Sequence, residues 1–334
     1  MKNKTLIGAI LVISVISIIF LFYYNNLPTG AVVSEKEKIT IAQIISPKSA
    51  LLIIAEKNGY FVEEGLDVNV KKFSAGRLAL DALLSKDAQF ASVASVPIMS
   101  AGFNKIKILV IATIVRTSND IKVVTRKDNG INNPTDLKNK KIAVFKGTSS
   151  DIFAYYFLKA NGLTTKDVKI TNLRFEEMPI ALERGNIDAF VGIEPSVYNG
   201  AKILGDKSIV FTNNKIYPNT FNTVVDSDFA KKNQGIIKKF LRALIKADSF
   251  IKQNREKSIK IAADDLGMDN QVLAQIWDDY TFNVSLDKSL VSNLEKDAQW
   301  ALETGVFQNK KIPNYRAMIY EKPLKEIKPT AVTI

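Results

Sequence analysis

The chain resembles itself at a shift of roughly 100 residues, and this self-likeness constrains the fold more than any other feature. The stretch AEKNGYFVEEGLDVNV at 55–70 lines up with LKANGLTTKDVKI at 158–170. In each, a helical run ends at Asn-Gly, a left-handed stop, and a loop leads to Asp-Val and a strand. The following segments match again. FSAGRLALDALLSKDAQFASVASVP at 73–97 parallels FEEMPIALERGNIDAFVGIEP at 175–195, with Phe73 opposite Phe175 and Pro97 opposite Pro195. Both run strand, helix, strand, then a proline placed to open the next helix. Two ordinary βαβ units could agree this far by chance; two similar lobes account for the full run of matches.

Short apolar strands alternate with helical patterns through both halves, which predicts an α/β sandwich. Strands are expected at Ile39–Ile45, Val68–Phe73, Ile106–Thr113, Lys141–Phe145, Val168–Leu173 and Ala189–Val191. Extended stretches at Thr113–Arg126 and Asn219–Asp228 read as crossings between the lobes. The first lobe then takes residues 39–120 and 225–334, the second takes 121–224, and the largely helical last third packs on the first.

After Lys2 and Lys4, residues Leu6 to Tyr24 carry no charge and are rich in Ile, Leu and Val, long enough to cross a bilayer once. The lysines place the tip, residues 1–5, in the cytoplasm, and Tyr23 and Tyr24 suit the outer interface. Residues 25–38 form a polar tether, and everything beyond is extracytoplasmic. The small residues Thr29 and Ala31 leave cleavage after Ala31, and secretion, as the alternative to a single-pass anchor.

The 334 residues contain no histidine and no cysteine. That removes disulfides, thiolate nucleophiles, Ser-His-Asp triads and the usual zinc and copper ligand sets. No metal, cofactor or catalytic residue is expected, and the chain reads as a non-enzyme. The formal charge of +12 comes from scattered lysines, not blocks. Lys238, Lys239, Arg242 and Lys246 face away from a stripe of Ile236, Ile237, Phe240, Leu241, Leu244 and Ile245, a solvated helix face with no nucleic-acid signature. The pairs Glu63-Glu64, Glu176-Glu177, Asp264-Asp265 and Asp278-Asp279 match no metal-loop spacing and read as surface charge. Trp277 and Trp300 sit on helical patterns and read as core.

Five strand-to-helix loops share one chemistry: Ser46-Pro47-Lys48-Ser49, Ser74-Ala75-Gly76-Arg77, Ala94-Ser95-Val96-Pro97, Lys146-Gly147-Thr148-Ser149-Ser150 and Gly192-Ile193-Glu194-Pro195. In open parallel sheets, ligands sit at the C-terminal ends of strands, where helix N-termini point free N–H groups and a positive dipole end. Facing lobes would bring these loops to one cleft suited to an anion or an acceptor-rich molecule. Serines and threonines also cap helices regardless of function. The stretch VFKGTSSDIF at 144–153 shows the tension. It contains no Gly-Lys-Ser/Thr, so it is no P-loop. Thr148 through Asp151 fits a capping box before a stripe of Ile152, Phe153, Tyr156 and Phe157, while Gly147, Thr148 and Ser149 remain free to face a cleft.

These residues carry a family likeness. SALLIIAEKNGYFVEEGLDV resembles the opening of solute-binding proteins of the sulfonate, nitrate, taurine and hydroxymethylpyrimidine ABC importers. DLKNKKIAVFKGTSSDIFAYYFLKANGLTTKDV is similar to the start of their second lobe, and ALERGNIDAFVGIEP to their run ending in Trp-Glu-Pro. The likeness spans roughly 39 to 325. It implies a two-lobed periplasmic-binding-protein type II fold, each lobe a sheet flanked by helices, here preceded by one transmembrane helix. It also implies a monomeric receptor for a small molecule that delivers its cargo to a permease with a cytoplasmic ATPase. Ile193 replaces the family's tryptophan, and the family's lipid-modified cysteine is missing.

The resemblance puts the ligand contacts on Lys48, Ser49, Ser74, Gly76, Arg77, Ala94, Ser95, Lys146, Gly147, Thr148, Ser149 and Glu194, with Asn219 and Asn222 from the second crossing. Lys48, Arg77 and Lys146 are the candidates for charge-assisted contacts. The expected ligand is a small sulfonate- or nitrate-like anion. A thiamine-precursor pyrimidine is the alternative, with Glu194 open to either a ligand's amine or ring N–H or a structural salt bridge, and a sensing role without transport is the other.

Overall fold

The computed structural model describes residues 36–334. The tip 1–5, the apolar span Leu6–Tyr24 and the tether as far as residue 35 lie outside the described residues. The strands are β1 (Glu37–Ile44), β2 (Leu66–Phe73), β3 (Phe90–Ala94), β4 (Ile108–Thr117), β5 (Ile121–Arg126), β6 (Lys141–Val144), β7 (Lys169–Asn172), β8 (Ala189–Ile193), β9 (Ser208–Phe211), β10 (Asn219–Asp226), β11 (Tyr280–Asp287) and β12 (Val332–Thr333). Helices of eight or more residues are α1 (Ala50–Lys57), α2 (Gly76–Leu84), α3 (Ser95–Phe103), α4 (Ser149–Ala160), α5 (Ser196–Leu204), α6 (Gln234–Gln253), α7 (Arg255–Leu266) and α8 (Lys288–Glu303).

Two sheets result, ordered β12-β11-β4-β10-β3-β1-β2 and β7-β6-β8-β5-β9. The sequence echo is visible in both. Three parallel strands lie in the same spatial order, β2-β1-β3 and β7-β6-β8. An antiparallel strand then joins beside the third, β10 on β3 and β5 on β8. Parallel neighbours need long crossovers, and the intervening helices supply them. The two Asn-Gly stops behave alike as well: Gly59 and Gly162 both take φ +73°, where a side chain would be strained. β3 and β8 are buried along their whole length, in keeping with their uninterrupted small and apolar composition.

All six expected strands form, within three residues of their expected starts and four of their expected ends. Two elements differ from expectation. Asn219–Asp226 is more than a crossing, because it lies between β3 and β4 as a central antiparallel strand. The last third also contributes β11, paired antiparallel with β4. Its residues YTFNVSLD alternate in the two-residue period of a half-buried strand, a short signal set between long helical ones.

Phe90 of β3 stacks on Phe240 of α6, with ring centroids 4.1 Å apart, and Phe229 meets it edge-on. Along α6, Ile237, Phe240, Leu241 and Leu244 are buried as the stripe requires. Its cations do not simply face solvent: Lys239 pairs with Glu37, Arg242 with Glu64, Lys246 with both Glu63 and Glu64, and Lys238 with Glu326. Such exposed pairs contribute about 0–1 kcal/mol each, so the apolar stripe, not the charges, holds α6. Trp277 and Trp300 are buried in the core.

Candidate functional site

The C-terminal ends of β1, β3 and β8 and the N-termini of α2 and α4 converge on one small cavity of about 20 Å³. That is room for about one water-sized group. Residues of both sheets line it. From the seven-stranded side come Ile44, Lys48, Gly76, Arg77, Ala94 and Phe221; from the five-stranded side come Thr148, Ser149, Ser150, Phe175 and Ile193.

Gly76 lets the first turn of α2 lie against the end of β3. A Cβ there would meet Ala94 N at 3.2 Å and Val93 Cα at 3.3 Å, so any side chain would press on the β3 backbone. The N-cap, Ala75, offers no side chain to the N–H groups of this turn. Next along, Arg77 reaches across the cleft, its guanidinium 5.0 Å from the centre of the Phe145 ring. Gly147 lies against it, and its φ of +74° favours glycine at this corner. Arg77 Nε is buried without a hydrogen-bond partner, and so is Ser74 Oγ, three residues earlier. Among the described residues no carboxylate pairs with Arg77.

Lys48 has a different setting. Its ammonium is buried and lies 2.6 Å from Asp120, with the Phe221 ring beneath it at 5.4 Å. The charge is neutralised inside the protein, so Lys48 lines the cavity as half of an ion pair. Ser49 donates its hydroxyl to the Ile44 carbonyl at 2.9 Å and is spent on the turn.

At α4, Thr148 accepts from the Ser150 amide at 3.3 Å and donates to the Phe145 carbonyl at 2.6 Å. The expected capping box is displaced by one residue, since Asp151 accepts from the Gly147 amide, not that of Thr148. Burial pushes the Asp151 carboxyl up, and the Gly147 bond offsets part of that. Ser150 donates to the Val191 carbonyl at 2.7 Å, tying the helix start to β8. Thr148→Ala is expected to lower stability by about 1 kcal/mol, measured by denaturant unfolding, because it removes the cap.

The other proposed residues stand outside the cavity lining. Lys146 is exposed, and its amide donates to Asn172. Glu194 is buried, with Lys122 at 3.5 Å, and accepts from the Tyr198 amide at 2.9 Å. Burial raises its pKa, and Lys122 opposes that. Asn222 lies within the sheet and accepts from Thr113 at 2.7 Å. Asn219 sits one step behind the cavity, donating to Ser149 at 3.2 Å and accepting from Ser95 at 3.1 Å. Sequence reasoning missed Ile44, Phe175, Phe221 and Asp120. Phe175 is the partner of Phe73 in the echo, and Phe221 lies between the two asparagines singled out at the crossing, so both carried a legible signal. Asp120 is a lone acid in a turn and carried none.

Two echoing α/β lobes around a polar-and-aromatic cavity, with crossings between their sheets, define the periplasmic-binding-protein class. The family model described as NMT1/THI5 like matches residues 46–258, well over half of the chain, and the chain belongs to this family. A protein of Bacillus subtilis (strain 168) named for binding aliphatic sulfonates is 25% identical over 248 residues, 72% of each chain. The taurine-binding periplasmic protein of Escherichia coli (strain K12) is 29% identical over 217 residues, 64% of this chain and 66% of that one. Among solved structures, the alkanesulfonate-binding protein SsuA of Xanthomonas axonopodis pv. citri superposes with a TM-score of 0.75 at 17% identity, covering 86% of this chain and 99% of that one. The fold alone does not fix activity: the desulfurization enzyme DSZB shares it, with a TM-score of 0.64 at 14% identity over 87% of this chain and 98% of that one.

Proposed function

We propose that this chain is the solute-binding component of an importer, that it captures a small organic oxyanion with a short apolar tail, and that it works by opening and closing its lobes without covalent chemistry. Arg77 carries this reading. It is the cation on the cavity wall with no carboxylate partner among the described residues, and its buried Nε lacks an acceptor. An oxyanion at that point would accept from Arg77 and from the free N–H groups of the first turn of α2. Ile44, Phe175, Ile193 and Phe221 leave an apolar surface for the tail. The names of the relatives agree with a sulfonate head group.

The lining offers no carboxylate to a ligand's ammonium, since Asp120 is paired with Lys48. A plain alkanesulfonate therefore suits the cavity better than a zwitterion such as taurine. A pyrimidine is disfavoured because Glu194 is engaged by Lys122 and stands outside the cavity lining. Delivery to a permease and its ATPase, tethering by Leu6–Tyr24 and action as a monomer complete the proposal, with the seven-stranded sheet and its helices moving against the five-stranded one; the expected boundary at residue 224 moves ahead of β10, which belongs to the seven-stranded sheet.

The test is the melting temperature of the full-length chain with ethanesulfonate, taurine, nitrate or hydroxymethylpyrimidine. At about 100 times its Kd a ligand adds about 2.7 kcal/mol to stability, a shift of several degrees. Ethanesulfonate is expected to give the largest shift. A shift with the pyrimidine alone would sink the anion reading.

A further inference from the structure

A second cavity, of about 310 Å³, has the volume of a small-molecule site and shares no lining residue with the first. Three parts of the molecule meet there. Tyr156 comes from α4 on the five-stranded side, and Asn293, Lys296 and Asp297 come from α8 on the seven-stranded side. Lys215 and Tyr217 come from the segment that joins β9 to β10.

The lining is graded from inside to outside. Asp297 and Tyr217 are buried, at 3% and 5% exposure, and form the inner end. Tyr156 and Asn293 are half-buried. Lys215 and Lys296 are exposed at the mouth and form no ion pair among the described residues. The Tyr156 and Tyr217 rings lie 23° from parallel, with centroids 6.4 Å apart.

What the inner end lacks is a cation. Among the described residues four carboxylates are buried: Asp120, Glu194, Asp248 and Asp297. Lys48 pairs with the first, Lys122 with the second, and Lys252 and Lys328 with the third. Asp297 has only neutral donors, Ser95 at 2.5 Å on one oxygen and Tyr217 at 3.1 Å on the other. Each carboxylate oxygen can accept more than one hydrogen, so both keep capacity for a further donor. Burial pushes the Asp297 carboxyl up to about 7, with the two hydroxyl contacts opposing it.

We propose that this cavity is a second binding site, for a small zwitterion whose ammonium enters toward Asp297 and Tyr217 while its acid group stays at the mouth with Lys215 and Lys296. A buried carboxylate without a counter-charge is costly, and a ligand's ammonium supplies the partner that a lysine gives to the other three. The two tyrosine rings add attraction for a cation. A simple cation would be repelled by the two lysines, and a simple anion by Asp297. A molecule carrying both charges satisfies both ends.

β-Alanine is the probe, and propionate, which lacks its ammonium, is the control. Titration calorimetry at pH 8 uses the full-length chain carrying Arg77→Met, so that the cleft's own cation is absent from every sample and the result does not depend on the anion reading. β-Alanine should bind at least about tenfold more tightly than propionate, the worth of one charge-assisted contact. Adding Asp297→Asn, which removes the charge at nearly constant size, should weaken β-alanine about tenfold or more. Adding Lys215→Gln and Lys296→Gln instead changes exposed positions only, so folding is spared, and should weaken β-alanine about three- to tenfold. No binding of β-alanine, equal affinities for β-alanine and propionate, or a β-alanine affinity unmoved by either set of substitutions would overturn the proposal.

Discussion

Replacing Arg77 by methionine is expected to weaken ethanesulfonate binding about 10- to 100-fold while changing folding stability by no more than about 0.5 kcal/mol. The separation follows from where Arg77 stands. Among the described residues its charge is unpaired and its Nε has no acceptor, so the folded chain loses little when the guanidinium goes. A bound oxyanion loses a charge-assisted contact worth about 1.5–3 kcal/mol, and every 1.4 kcal/mol is about tenfold in affinity. Methionine keeps much of the length and the contact with Phe145, so the change tests charge more than packing. Parallel titration calorimetry and denaturant unfolding give both numbers. An affinity within twofold of wild type would remove Arg77 from the site.

Lys48→Met should do the reverse, lowering stability by about 3–5 kcal/mol and the melting temperature by roughly 10 °C. The ion pair with Asp120 is buried on both sides, so removing the lysine strands a carboxylate away from water. The double variant Lys48→Met/Asp120→Leu should recover most of the loss, because two apolar groups leave no charge unpaired. If the single variant melted like wild type, the ammonium would be free to meet a ligand, and the division of labour between Lys48 and Arg77 would be wrong.

The comparison of these two cations shows what a sequence can and cannot say about the site. Both lie in the loops that the strand-and-helix pattern assigned to the cleft, and both line the cavity. The pattern gave the loop, because strand ends and helix starts are local. It could not give the partner, because Asp120 lies 72 residues beyond Lys48 and is brought there by the seven-stranded sheet. Glu194 met the same fate through Lys122. Lys146 is turned outward by the Gly147 corner, which the sequence announced without its direction. The lobe architecture was more legible, since it repeats: the same strand order, the same glycine stops and the same following proline appear twice. The parts that do not repeat, β11 above all, were the ones hidden among helices.

The central claim is that the cleft holds an anion. Titration calorimetry of the full-length chain with ethanesulfonate and with its uncharged analogue ethanesulfonamide tests it most directly, since the two differ little except in charge. Loss of one or two charge-assisted contacts predicts about 100-fold weaker binding of the sulfonamide. Equal affinities, or a heat of binding from hydroxymethylpyrimidine with none from ethanesulfonate, would contradict the account.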